Sequence, residues 1–207
     1  MWERLIQAFF PDRCVECGAW YTVWCEQCRR DVPPYTGVLP SLPVARMVVC
    51  ATYTGRVREH ILRLKYARQR RLAEALALLI APAIPVGAVI VPIPTSQSRI
   101  VRRGYDHMHL CAHAVARQRG GVVSTQLVRT RDTHSQAGLN RQQRGINVLG
   151  AFAWQGSCRP GRYVLIDDIC TTGATLCAAV AVMRACGIVD LDVVVVARGT
   201  LTPAMPG

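Results

Sequence analysis

The stretch V164-L165-I166-D167-D168-I169-C170-T171-T172-G173-A174-T175 decides how this chain is read. A short apolar run, as a buried strand requires, ends in two adjacent carboxylates. Small hydroxylated residues around a glycine then lead into an apolar-periodic segment. Carboxylates repel phosphate, whereas hydroxyls and backbone N–H groups at a helix start attract it. A ligand suited to both halves carries a phosphate at one end and hydroxyls or a metal ion at the other, which describes a ribose 5-phosphate.

Working outward, strand-like and helix-like segments alternate from Met47 onward. MVVCATYT, GAVIVPIP, RYVLID and LDVVVVARG read as strands, with VVSTQLV and VLGAFAW as further strands around a long polar stretch. RVREHILRLKY places Val57, Ile61 and Leu64 on one helical face. RRLAEALALLIA stops at Pro82, and YDHMHLCAHAVARQRGG closes on Gly120 and Gly121. ATLCAAVAVMRACG is the helix that follows the opening stretch. The pattern predicts an α/β fold, a parallel sheet flanked by helices. Ligands of such sheets bind at the carboxyl ends of strands, where Asp167 and Asp168 fall.

Before that domain lie Cys14-Val-Glu-Cys17 and, after a short gap, Cys25-Glu-Gln-Cys28. Two CxxC knuckles supply the four thiolates of a tetrahedral structural zinc site. A segment this short has little core of its own, so metal binding would supply its folding energy. Redox chemistry wants one CxxC between a strand and a helix, not two in tandem. The Pro-rich stretch 33–43 reads as a linker, which predicts a zinc-binding module with linker over 1–45 and the α/β domain over 46–207.

The chain has 207 residues, 51% of them hydrophobic, and no apolar run long enough to span a membrane. Its start has no long apolar stretch followed by a cleavage site, which predicts a cytoplasmic protein whose ten cysteines mostly stay reduced. Twenty-five basic against thirteen acidic residues give a net charge of +12. That surplus attracts phosphates on a small ligand or a nucleic acid. Only Lys65 is a lysine, and no Gly-Lys-Ser/Thr follows a glycine-rich loop, so a Walker A nucleotide site is excluded; GxGxxG is absent too. His107, His109 and His113 share one helix, with Asp106 as their acidic neighbour, a weak metal pattern.

Asp167 to Thr175 closely resembles the signature with which type I phosphoribosyltransferases bind 5-phosphoribosyl 1-pyrophosphate (PRPP). More of the chain resembles one branch, the ComF/GntX-like family associated with DNA uptake in bacterial competence. The likeness runs through the N-terminal CxxC pairs, Tyr53-Thr-Gly55, Leu64-Lys65-Tyr66, Val91-Pro-Ile-Pro94 and Arg103-Gly104-Tyr105. It continues in Gln136-Ala-Gly-Leu139, Arg144 and Asn147-Val148. Where the family pattern has Asn-Gln after Arg-Gly-aromatic, this chain has Asp106-His107.

The resemblance implies roles residue by residue. Asp167 and Asp168 would be the catalytic carboxylates holding the ribose hydroxyls, and Thr171, Thr172, Gly173, Ala174 and Thr175 would hold the 5-phosphate. Thr95, Ser96 and Arg99 would form the pyrophosphate loop. Arg131, Arg141 and Arg144 would sit on the mobile loop that closes over the leaving group. Breaking the anomeric C–O bond leaves positive charge on the ribose and negative charge on pyrophosphate. Mg²⁺ and arginines would stabilise the second, and carboxylates can offset the first. Two functions compete: phosphoribosyl transfer from PRPP to an acceptor that no motif specifies, or a non-catalytic role binding single-stranded DNA or a helicase partner of the uptake machinery.

Overall fold

The computed structural model describes residues 11–130 and 150–199. Among these, seven strands and six α-helices follow one another as α1 (Glu26–Arg30), β1 (Arg46–Thr52), α2 (Gly55–Tyr66), α3 (Leu72–Ile80), β2 (Val89–Pro92), α4 (Gln97–Arg103), α5 (His107–Arg119), β3 (Val122–Val123), β4 (Leu127–Arg129), β5 (Phe152–Trp154), β6 (Tyr163–Cys170), α6 (Ala174–Ala185) and β7 (Leu191–Arg198). Five strands form one parallel sheet in the order β1-β7-β6-β2-β3, and β4 pairs antiparallel with β5 apart from it. The expected α/β architecture is borne out.

Strand β7 is buried along its whole length, as its near-continuous valines require of a strand covered on both faces. Alternation along β6 feeds two cores. Val164 and Ile166 pack with Ile61, Leu76, Met108 and Cys111 from α2, α3 and α5. Leu165 packs with Leu176, Val180 and Met183 of α6 and with Phe152 of β5. Period-two geometry therefore sends the side chains of Asp167 and Asp168 to opposite faces of the sheet.

The order of strands locates the site. From β2 the chain crosses through α5 to β3 on one side; from β6 it crosses through α6 to β7 on the other. Connections diverge between β2 and β6, the switch point where an open α/β sheet leaves a crevice beyond its strand ends.

Three local readings change. Strand β6 runs on through Cys170, whose partner is Arg198, so both aspartates lie within the strand and the turn follows it. VVSTQLV is two short strands in different sheets, because only Val122 and Val123 pair with β2. Helix α4, Gln97–Arg103, occupies what reads as loop after β2; with three arginines, one serine and one glutamine among seven residues it carries no helical apolar stripe.

Around the N-terminal cysteines, Cys14, Val23, Trp24, Cys28 and Val32 belong to the same buried cluster as α2, α3 and α5. Trp24 is fully buried and meets the His60 ring edge-on at 4.7 Å. Among the described residues, no helix is long and apolar enough to cross a membrane.

Candidate functional site

The cleft at the β2–β6 switch point has a volume of about 760 Å³ and is lined on one side by Thr95, Ser96 and Arg99, on the other by Asp167, Asp168, Thr171 and Thr175. Residues from both predicted loops thus face one space. Lys65, Arg102, Arg103, His107 and Arg129 complete its polar wall.

Helix α6 points its N-terminus at the strand ends. Gly173 precedes it with φ of +86°, a left-handed backbone open to glycine at little cost. A side chain there would also strike Pro40, whose Cβ and Cγ lie 2.9 Å from the position of a Cβ. The Ala174 N–H reaches Thr172 Oγ1 at 3.4 Å, a long contact that leaves the first turn of the helix weakly capped. Thr172, Gly173 and Ala174 therefore shape the loop, while Thr171 and Thr175 border the cleft.

The two aspartates differ. Asp168 is buried, and its Oδ2 meets both Lys65 Nζ at 2.6 Å and His107 Nε2. Burial alone would raise its pKa, but those two groups outweigh burial and hold the carboxyl far below the usual carboxylate range. Asp167 is half-buried on the opposite face; Oδ1 accepts the Asp168 N–H at 2.9 Å. Burial and the neighbouring Asp168 charge push its pKa up to about 8, which Lys65 and Arg129 only partly offset. At neutral pH the two neighbouring carboxylates therefore differ in charge, Asp168 ionised and Asp167 mostly protonated.

In the loop after β2, Thr95 is already engaged: its N–H donates to Asp106 Oδ2 and its hydroxyl to Asp106 Oδ1, both at 3.1 Å. Asp106 also caps α5, accepting from the N–H groups of Met108 and His109. Ser96 is buried with its hydroxyl 3.2 Å from that of Ser98. Arg99 lines the cleft, and its side chain makes no hydrogen bond or ion pair among the described residues. Arg131, Arg141 and Arg144 lie outside the described residues, as do Gln136–Leu139 and Asn147–Val148.

Lys65, of the Leu64-Lys65-Tyr66 segment, is an internal partner of Asp168. The Arg103-Gly104-Tyr105 segment secures the helix that carries it. Arg103 Nε donates to the Lys65 carbonyl at 2.7 Å and the Tyr105 hydroxyl to the Leu64 carbonyl. Both satisfy carbonyls that the last turn of α2 leaves open. Gly104 turns the chain between them at φ of +84°.

Magnesium fits the cleft modestly. Among the described residues, no group of three or more carboxylate or histidine ligands gathers there. Mg²⁺ commonly binds through one or two carboxylates and the substrate's phosphates, and Asp167 offers such a ligand.

The cysteines form the second site. The Sγ atoms of Cys14, Cys17, Cys25 and Cys28 all lie within 4.8 Å of one another, with Cys17 and Cys25 at 3.6 Å. Zinc–sulfur bonds of about 2.3 Å would place the sulfurs of a tetrahedron about 3.8 Å apart. Burial opposes ionisation of Cys14, yet backbone N–H groups of Cys17, Cys25 and Glu16 bring its pKa down to about 6. Burial and the other three thiols push Cys28 up to about 12. Four thiolates need a cation to coexist, and this cluster can hold a structural metal such as zinc. His107, His109 and His113 do not converge on a metal site: His107 is committed to Asp168, and His113 is exposed.

No protein-family model matches the chain. Curated relatives do. The chain is 27% identical to Competence protein F of Haemophilus influenzae over 89% of its own length and 84% of that protein's. DNA utilization protein YhgH of Escherichia coli matches at 27% identity over 79% of the chain and 74% of YhgH. Competence protein ComFC of Streptococcus pneumoniae is 33% identical over a shorter span, 42% of the chain and 37% of ComFC. These relatives support a ComF-like family.

Proposed function

We propose that this ComF-like protein binds a 5-phosphorylated ribose, PRPP or ribose 5-phosphate, with Mg²⁺ in the β2–β6 cleft, and that it acts in bacterial DNA uptake. One observation carries the ligand reading: adjacent carboxylates at the end of β6 stand beside a helix N-terminus at the sheet's switch point. The helix start suits the 5-phosphate. Asp167 and Asp168 suit the ribose hydroxyls, and Arg99 and Arg102 suit a pyrophosphate. The names of the relatives, competence and DNA utilization, support the pathway.

The reaction we propose is phosphoribosyl transfer. Breaking the anomeric C–O bond releases pyrophosphate with its electron pair, and the acceptor's lone pair forms the new bond at the same carbon. Magnesium would neutralise charge on the departing pyrophosphate. The chain's own contribution is to orient the ribose with two carboxylates on opposite faces of one strand and to place cationic side chains around the leaving group. A second reading, binding of single-stranded DNA without catalysis, is favoured by the basic surplus and by Arg99 and Arg102 in the cleft, whose side chains make no hydrogen bond or ion pair among the described residues.

Isothermal titration with PRPP and Mg²⁺ tests the first reading; no heat of binding at millimolar PRPP would overturn it. Turnover of PRPP to pyrophosphate with candidate acceptors separates the enzyme from the binding protein.

A further inference from the structure

Asp168 is held by a closed circuit of side chains from three helices. Lys65, near the end of α2, and His107, at the start of α5, converge on the same atom, Oδ2. Behind His107, Arg103 at the end of α4 directs Nη1 at the ring's Nδ1. The same Arg103 returns to the Lys65 carbonyl through Nε at 2.7 Å, closing the ring.

The chemistry of these partners fixes the proton. A guanidinium only donates, so Nδ1 of His107 must accept, and the ring's hydrogen sits on Nε2, facing Asp168. Thr95 Oγ1, 3.3 Å from Nδ1, can direct its own hydrogen to Asp106. With two donors on Oδ2, the other oxygen is left over. Asp168 Oδ1 makes no hydrogen bond among the described residues, yet it is not a sealed, unsatisfied atom. The carboxylate lines the cleft and keeps 8% of its side-chain surface exposed.

We propose that His107, oriented by Arg103 and acting with Lys65, is a positioning residue that pins Oδ2 of Asp168 and so presents Oδ1 to a ligand hydroxyl or cation in the cleft. The inference rests on the ribose-phosphate reading of that cleft. It also assigns the acids unequal tasks. Asp168 is a prefixed acceptor held by Lys65 and His107, whereas Asp167 faces the other side of β6 and accepts the Asp168 N–H through Oδ1. Preorganisation of this kind removes the ordering of a carboxylate from the cost of binding.

The test compares full-length wild type, His107→Ala and His107→Gln, because a glutamine amide keeps an N–H donor where alanine has none. Binding of PRPP with Mg²⁺ should weaken roughly 10–100-fold in His107→Ala, the scale seen when a partner orienting a ligating group is lost. His107→Gln should recover most of that affinity. Nitrogen-15 NMR of the histidine rings in ligand-free wild type should show His107 with its hydrogen on Nε2, and Asp168→Asn should shift that signal. Wild-type affinity in a folded His107→Ala, or a His107 ring with its hydrogen on Nδ1, would overturn the inference. Should His107→Ala not fold, the glutamine variant and the wild-type ring signal still decide. If wild type binds no PRPP, the ligand reading fails, while the ring signal independently upholds or rejects the clamp.

Discussion

Glu16, set inside the first cysteine knuckle, is 2.6 Å from His60 Nε2 on helix α2 and 3.2 Å from Arg56 Nε on the same helix. Asp12 and the Arg13 carbonyl likewise take Arg71, just ahead of α3. The cysteine cluster is thus fastened to the helix that delivers Lys65 to Asp168. A bound metal would fix the knuckle, the knuckle would fix α2, and α2 would fix the clamp on the carboxylate.

The protein prepared without chelator should therefore carry close to one equivalent of zinc, measured by elemental analysis. Cys25→Ser should release it. Structural zinc contributes on the order of 10 kcal/mol to small cysteine modules, so the variant should also melt at lower temperature. Metal-free protein with unchanged melting would sink the zinc assignment.

A second expectation concerns the loop proposed to hold the 5-phosphate. Thr172→Ala removes the hydroxyl that reaches the Ala174 N–H and leaves the turn before α6 less ordered. The loss for PRPP with Mg²⁺ should be about 1–2 kcal/mol, roughly 5–30-fold in Kd. Titration calorimetry reads this directly, and an unchanged Kd would remove Thr172 from the site.

Asp167 gives the pH dependence its sign. Its folded pKa, about 8, lies above the ordinary carboxylate value, so the folded state holds a proton that the unfolded state has lost. That contribution to stability is present at low pH and is lost as pH rises from about 4 through 8. Asp168, with its pKa depressed, works in the opposite sense: its contribution is present above the unfolded value and is lost only in acid. Asp167→Asn should consequently raise the melting temperature more at pH 8 than at pH 5. In wild type, Mg²⁺-dependent ligand binding should strengthen from pH 6 to 8 and release a proton, detectable as a buffer-dependent heat.

The alternation of strands and helices made the sheet legible, because buried strands such as β7 are nearly all valine. The aspartate pair and the threonine loop were legible for the same reason: each lies on one short continuous stretch. Lys65, Arg103 and His107 were not. They come from three helices and meet Asp168 only through the crossover that brings α2, α4 and α5 together at the strand ends. Arg103-Gly104-Tyr105 and Asp106-His107 were visible as segments, but a segment does not say which carbonyl or carboxylate it will meet. Helix α4 escaped because its sequence has no apolar period. The cysteine spacing disclosed its cluster, whereas the docking of Glu16 on His60 spans 44 positions and leaves no local trace.

The last expectation concerns DNA and the surface on which it would bind. Trp24 is buried and cannot stack on a base; Trp20 and Tyr21 are 51% and 80% exposed. Arg30 is paired with Glu26, and Arg29 donates to the Trp24 carbonyl, so neither is a spare cation. Arg58, Arg68, Arg99 and Arg102 have side chains with no hydrogen bond or ion pair among the described residues. Single-stranded DNA should therefore bind chiefly by charge, with affinity falling steeply as salt rises and little preference among sequences of equal length. Replacing Arg68 and Arg102 by alanine should each lower the salt slope by roughly one if each meets one phosphate. Removing both Trp20 and Tyr21 should cost on the order of 1–3 kcal/mol for each base that stacks there. Fluorescence anisotropy with a labelled oligonucleotide across a salt series measures all three. Binding that ignores salt, or no binding at low salt, rejects direct contact and leaves protein partners as the route to DNA uptake. A deletion strain that transforms normally would remove the pathway itself.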